Sequence, residues 1–251
     1  MKLLAFDTST EAMSIAVTDG ARIWQHTGPG SAQSSATLIP VILGLIKDAG
    51  LELAALDAIV FGRGPGSFTG LRTACAVAQG LAFGADIPVL PLDTLMAVAE
   101  EARLQHVPQH AGQTLRITAL LDARMDELYV QTFDASATGC RALAPCVLVR
   151  PEALVVQEGV QLLAGNVFKV YPDRLPASVM AMPRVETLPT ATAMLRLAPA
   201  LVAAGACVSA DDALPLYVRD KVAQTTEERM RIKADAASAA TLQIPAAPAA
   251  L

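Results

Sequence analysis

Three groups of residues have types and spacings that could do chemistry. Asp7, Thr8 and Ser9 place a carboxylate and two hydroxyls in a turn after a short apolar run. Gly62, Gly64 and Gly66, with Pro65 between the last two, lead to Ser67 and Thr69, where a helix must begin. Such a strand–turn–helix corner gathers free N–H groups and can hold an anion. His106 and His110 have the i, i+4 spacing that aligns two metal ligands on a helix face.

None of the three completes a known catalytic or nucleotide motif. A Walker A loop opened at Gly64 reaches Thr69 at its second glycine position, and no lysine follows. A dinucleotide fingerprint opened at Gly62 reaches Ser67 where its last glycine belongs. The corner reads equally as a tight turn in which Ser67 caps the helix and the glycines permit close packing. Asp7, Thr8 and Ser9 read equally as a capped turn. Pro108 interrupts the histidine pair and no glutamate completes H-E-x-x-H, so no metal is expected. No Ser–His–Asp spacing is recognisable. The four cysteines include no C-x-x-C, and buried free thiols are expected, with Cys140 and Cys146 on one strand and too far apart to bridge.

The elements that would position these groups alternate. Lys2–Asp7 is an apolar run; Met13–Thr18 and Arg22–Thr27 pair across Asp19-Gly20, a strong hairpin signal. Ser34–Ala49 has helical length and stops at Gly50. Ala58–Phe61 predicts a strand, Ser67–Phe83 a helix, Val89–Leu90 a strand, and Asp93 the start of a helix to about Leu104. A poorer copy follows: strands over Leu115–Asp122, Glu127–Asp134 and Cys140–Val149, a short helix over Pro151–Glu158, a strand over Val160–Ala164 and a helix over Thr190–Ala204. Tyr171–Pro189, with four prolines, predicts irregular chain. From about Thr225 the chain changes character, and nine of the last eighteen residues are alanine. The expected organisation is a first lobe over 1–105, a reduced second lobe over 106–223 and a mobile tail over 224–251.

Composition narrows the function. The chain has 251 residues, 53% of them hydrophobic but only 4% aromatic, so aliphatic side chains must fill the core. No apolar run reaches membrane-spanning length, and Met1 leads directly into a strand-like segment without a charged and then apolar leader, so a cytoplasmic location is expected. With 19 basic against 24 acidic residues the net charge is −5, a poor balance for gripping RNA alone. Two helices give a positive clue. Leu38, Ile42 and Leu45 belong to an apolar surface running nearly all round the first, and Leu71, Ala74, Ala78 and Leu81 to that of the second, where Arg72 and Gln79 are the main polar positions. Helices apolar all round are buried on two sides. A sheet accounts for one side; other helices of this chain are one cover for the second, and an association surface is the reading inferred.

The glycine corner sits in a longer run, GRGPGSFTGLR (Gly62–Arg72), followed by AQGLA and PVLPLDTL. Together with LAFDTSTEAMSIAV (Leu4–Val17), LLDARMDELYV (Leu120–Val130) and PLYVRDKVA (Pro215–Ala223), this resembles the TsaB (YeaZ) family over about residues 1–223. The resemblance implies an α/β, two-lobed actin/hexokinase/Hsp70-like (ASKHA) fold with a reduced second lobe. It implies a non-catalytic scaffold for TsaD, which transfers threonylcarbamoyl to N6 of adenosine 37 in transfer RNAs reading ANN codons. TsaE joins the complex, the helices bearing Leu38, Ile42, Leu45, Leu71, Ala74, Ala78 and Leu81 meet TsaD, and the chain alone forms a homodimer; transfer RNA is contacted through the complex. Enzymes of this fold superfamily cradle ATP with an Asp-Gly-[small]-Thr hairpin in each lobe. Here the hairpins read Asp7-Thr8-Ser9-Thr10 and Asp122-Ala123-Arg124-Met125, and the adenosine loop is reduced to Ala164-Gly165-Asn166. At most a remnant nucleotide or anion site is expected at Asp7, Thr8, Ser9, Gly64, Gly66, Ser67 and Thr69, with no cofactor. Asp122 and Arg124 belong to a family-signature hairpin expected to bridge the lobes. TsaD carries an H-x-x-x-H metal pair in its first long helix; the matching helix here has no histidine. The competing readings are a divergent ATPase or small-molecule kinase using Asp7, and, more weakly, a metallopeptidase.

Overall fold

A computed structural model of the chain describes residues 1–30, 34–106 and 113–219. The first half runs β1 (Leu3–Asp7), β2 (Ala12–Thr18), β3 (Ile23–Pro29), α1 (Ser34–Asp48), β4 (Ala58–Gly64), α2 (Phe68–Ala85), β5 (Val89–Asp93) and α3 (Thr94–His106). The β2–β3 hairpin forms because the Asp19 carboxylate accepts the N–H groups of Ala21 and Arg22, at 2.8 and 2.7 Å, while Gly20 takes φ 97°. Gly50, at φ 66°, turns the chain after α1. The second half runs β6 (Leu115–Asp122), β7 (Leu128–Ser136), β8 (Gly139–Ala142), β9 (Val147–Val149), β10 (Leu162–Gly165), α4 (Val167–Val170), α5 (Ala177–Met180), β11 (Arg184–Glu186) and α6 (Ala191–Ala203).

The first sheet has strand order β3-β2-β1-β4-β5, and the second β8-β7-β6-β10-β11. The two orders are the same path walked twice: two antiparallel pairings on one side of the first strand and parallel pairings on the other. Central strands are buried on both faces, so β1 (LLAFD) and most of β4 and β6 are continuous apolar runs.

The covering helices are exchanged between the halves. Helix α6 lays Ala191, Met194, Leu197 and Ala198 on the first sheet, against Leu3, Ala5, Ala16, Val60 and Leu90. Helix α3 does the reverse, packing Leu95, Val98, Ala99 and Ala102 against Leu115, Ile117, Leu121 and Phe133 of the second. A buried ion-pair network ties the two helices. Glu100, 2% exposed, accepts Arg103 through both carboxylate oxygens (2.7 and 2.9 Å) and Arg196 at 2.8 Å, while Glu101 takes Arg196 and the Thr190 hydroxyl. Met1–Val218 is accordingly one compact unit.

Several sequence expectations need correction. Cys140–Val149 is two short strands, β8 and β9, because the chain turns between them, and both pair with β7. Cys140 and Cys146 therefore share no strand; all four thiols are free, but Cys75 alone is buried and Cys140, Cys146 and Cys207 are half-buried. Pro151–Glu158 gives only a 3-10 turn over Pro151–Ala153. Tyr171–Pro189 is not wholly irregular: it holds α5 and β11. The tail and His110 lie outside the described residues.

Candidate functional site

Strand β4 extends through the glycine run to Gly64, with a register shift against β5 that leaves Arg63 as an extra residue. Gly64-Pro65 is cis, and Ser67 caps α2 by accepting the Gly70 N–H. The glycines are required by close approach to the β1–β2 hairpin. A Cβ at Gly62 would lie 1.8 Å from Asp7 Oδ2, at Gly66 2.6 Å from Ser9 Cβ, and at Gly70 2.0 Å from the Thr8 carbonyl oxygen. Ser67 N–H donates to Ser9 O at 2.7 Å, and Thr8 Oγ1 donates to Gly70 O at 2.7 Å. Hairpin and corner are thus two halves of one packed contact.

Asp7 is completely buried within it. Its Oδ1 accepts Ser9 N–H at 2.8 Å and Ser9 Oγ at 2.6 Å, and its Oδ2 accepts Thr94 Oγ1 at 3.0 Å. Burial pushes the carboxyl above its ordinary range, against the pull of these hydrogen bonds, and none of the three donors is a cation. Thr8 and Ser9 are likewise buried, and Thr69 is exposed on the first turn of α2, where its carbonyl accepts Thr73 Oγ1 at 3.0 Å. Gly64 faces the opposite way, toward Leu71 and the carbonyl of Leu216. Of the expected anion-site residues, the structure therefore brings Asp7, Thr8, Ser9, Gly66 and Ser67 together, with their side chains turned on one another.

The second hairpin is pinned similarly. Arg124, Met125 and Asp126 all have positive φ, and Arg124 pairs with Asp122 at 3.1 Å. That pair is local to its own hairpin. Asp122 also accepts the Tyr171 hydroxyl at 2.8 Å. The crossing contact uses Asn166: its Oδ1 accepts Asp122 N–H at 3.0 Å, and its Nδ2 donates to both Glu11 carboxylate oxygens at 3.3 and 3.4 Å. Gly165 permits this, since a Cβ there would lie 1.7 Å from Leu120 O. Among the described residues, no group of three or more His, Cys, Asp or Glu could hold a metal ion.

A different surface is open. Helices α1 and α2 lie side by side over one face of the first sheet. Leu38, Ile42, Leu71, Ala74 and Ala78, expected at a partner interface, are instead buried in the chain's own core, and Leu45 and Leu81 are half-buried against it. The outward sides carry Ile39 (43% exposed), Leu43 (50%), Phe68 (39%) and Phe83 (78%), with Ala36, Ala76, Gly80 and Gly84 between them. Nothing lies within 4 Å of a Cβ built at Gly44, Gly80 or Gly84. Sequence reasoning found the helices and missed their rotation. The i, i+4 pair Ile39/Leu43 was a signal, hidden because the inner sides are equally apolar.

The twice-walked strand path, with hairpins facing each other across exchanged helices, defines a two-lobed ASKHA-like protein. A family model described as TsaD: tRNA N6-adenosine threonylcarbamoyltransferase matches residues 28–242. The chain is 33% identical over 231 residues to the tRNA threonylcarbamoyladenosine biosynthesis protein TsaB of Escherichia coli, covering 89% of this chain and 96% of that protein. It is 42% identical to the Haemophilus influenzae TsaB over 129 residues, about half of each chain (51% and 52%). The solved structure of YeaZ from Pseudomonas aeruginosa superposes with a TM-score of 0.76 at 36% identity, covering 86% of this chain and 99% of that one. The chain belongs to the TsaD family of proteins and, within it, to the TsaB (YeaZ) family.

Proposed function

We propose that this chain acts in synthesis of threonylcarbamoyladenosine in transfer RNA, as a non-catalytic subunit that docks a TsaD-type transferase through the exposed face of α1 and α2. Its similarity to E. coli TsaB over nearly the whole of both chains is the observation that carries the reading. Two features of the molecule support the finer role. The polar side chains of the first nucleotide-type hairpin are spent on one another and on α2 and α3, which leaves Asp7 without the open setting that phosphate and magnesium need. The contiguous apolar face with small residues at its centre permits close helix-to-helix approach.

The chain acts by binding one conformation of the transferase more tightly than others, shifting it toward the competent state. Adenosine 37 of transfer RNAs reading ANN codons is the modified position, TsaE is a further subunit, and the chain alone self-associates through the same face, in the cytoplasm. Among the described residues no helix is long and apolar enough to cross a membrane. The lobes proposed are those of 1–105 and 106–223.

The test combines TsaD, TsaE, a threonylcarbamoyl-adenylate source and transfer RNA with and without this chain, scoring modified adenosine. Omission should remove the product, and so should Ala76→Arg or Gly80→Arg, both at exposed positions that leave the fold intact. Ala74→Arg is unsuitable because Ala74 is fully buried. Undiminished product without the chain would reject the subunit reading. Saturable ATP binding by the isolated chain would then favour the kinase-like alternative.

A further inference from the structure

The exposed face of α1 and α2 is apolar but not uncharged, and its charge is placed with care. Along the whole of α2 the single charged residue is Arg72. Arg72 is exposed, yet it is not a loose surface cation. Its Nε donates to the Tyr217 hydroxyl at 3.0 Å, and its guanidinium carbon stands 3.8 Å from the centroid of Phe68. The Phe68 and Tyr217 rings are themselves 5.7 Å apart, and both stay more than a third exposed, at 39% and 45%.

Tyr217 reaches this position from the far end of the described chain. The segment after α6 closes the edge of the first sheet at Val89↔Val208 and then runs along α2. Ala213 O accepts Gln79 Nε2 at 3.0 Å and Cys75 Sγ at 3.1 Å, and Leu216 N–H donates to Arg63 O at 2.7 Å. A strap fastened at several points thus delivers a hydroxyl to one nitrogen of Arg72. Phe68 covers one face of the guanidinium. Its two terminal nitrogens have no hydrogen-bond or ion-pair partner among the described residues. An arginine held between two half-exposed aromatic rings, beside an apolar stripe, has the make-up of an interface anchor. Pre-orientation removes much of the side-chain entropy that docking would otherwise cost.

We infer that Arg72, oriented by Tyr217 and Phe68, is the charged anchor of this face and takes a carboxylate from an opposing helix that is otherwise apolar and small. The inference rests on the docking role proposed above and names the partner's chemistry. The planar terminal nitrogens match a carboxylate bidentately, and burial between apolar helices strengthens that bond while making an unpaired guanidinium costly. A second copy pressed α2 to α2 fits less well. Its α2 again offers Arg72 as its only charge, so two copies pressed α2 to α2 bring cations and no helical acid into one apolar seam.

The experiment measures the affinity of the full chain for the purified TsaD-type subunit of the same cell, at low and high salt, for wild type, Arg72→Ala, Arg72→Lys, Arg72→Glu and Ala76→Arg. Melting temperatures confirm that each variant is folded. Arg72→Ala should weaken binding about 10- to 100-fold and flatten its salt dependence. Arg72→Lys should recover only part of the loss. Arg72→Glu should be rescued by reversing one Asp or Glu on the partner. If Arg72→Ala binds as wild type while Ala76→Arg does not bind, the anchor is refuted and the docking face stands. If Ala76→Arg also binds normally, the docking face itself fails. A loss in Arg72→Ala with unchanged salt dependence assigns the residue to packing and overturns the carboxylate.

Discussion

One substitution made at two places in α2 should have opposite effects. Glycine to alanine in a helix normally gains about 1 kcal/mol, because alanine loses less backbone entropy on folding. At Gly80, exposed and with nothing within 4 Å of the added Cβ, that gain should appear undiminished. At Gly70 the same carbon would lie 2.0 Å from the carbonyl oxygen of Thr8 and 2.9 Å from its carbon. These are main-chain atoms, so no rotamer change relieves them, and restoring an ordinary 3.4 Å contact requires the hairpin and helix to part by roughly 1.4 Å. That movement breaks the bonds Thr8 Oγ1 to Gly70 O and Ser67 N to Ser9 O, both 2.7 Å. Two bonds at about 1 kcal/mol each, plus overpacking at about 1–3, less about 1 for propensity, leave a net loss of roughly 2–4 kcal/mol. At about 2–4 °C per kcal/mol for a chain of this size, Gly70→Ala should lower the melting temperature by roughly 4–16 °C, and Gly80→Ala should raise it by about 2–4 °C. Circular-dichroism melts of the dilute protein, backed by urea titrations, read both. Parallel upward shifts would refute the packed contact between hairpin and corner.

Asp7 supplies a pH-dependent test. Its folded pKa is raised by burial, so its contribution to stability is full below the unfolded value near 3.8 and is lost as pH climbs through the folded one. Asp7→Asn, which cannot ionise, should be the more stable form near neutrality, with the difference closing as pH falls toward that value; urea midpoints across pH would show it, and a gap independent of pH would count against it. Glu100→Ala removes the shared acceptor of Arg103 and Arg196, stranding Arg103 and leaving Arg196 only its Glu101 partner, and should cost about 3–5 kcal/mol in urea unfolding. A loss under about 1 kcal/mol would mean that the network is solvated. Burial pushes the Cys140 and Cys146 thiols up to about 12, so mass spectrometry should find both slow to alkylate at mildly alkaline pH in the native chain and fast in urea. Equal rates in the two conditions would contradict their burial.

Local chemistry made much of the fold readable. Asp19-Gly20, Gly50 and Ser67 each act through neighbours within a few residues, so turn and cap signals located β2–β3, the end of α1 and the start of α2. Unreadable features depend on partners far along the chain. The apolar circumference of α1 and α2 concealed which side meets the sheet, so Leu38, Ile42, Leu71, Ala74 and Ala78 were assigned to a partner while Ile39, Leu43 and Phe83 were not. Asn166 and Tyr217 lie in the recognised runs Ala164–Asn166 and Pro215–Ala223, yet their roles come from bonds spanning 155 and 145 residues, which no local pattern shows. The prolines around Tyr171–Pro189 masked α5 and β11, because breaker residues mark where regular structure stops and say little about short pieces between stops.

The exchange of α3 and α6 bears on how the protein is born. When the first sheet has left the ribosome, one of its faces, with Leu3, Ala5, Val60 and Leu90, still lacks Met194 and Leu197, which are synthesised only after the whole second sheet. The nascent chain must keep that face out of water without its own helix, a period in which chaperones and nonspecific association compete for it. Cutting the gene between the lobes would not yield two small soluble proteins. It would yield two sheets, each carrying the helix that belongs to the other.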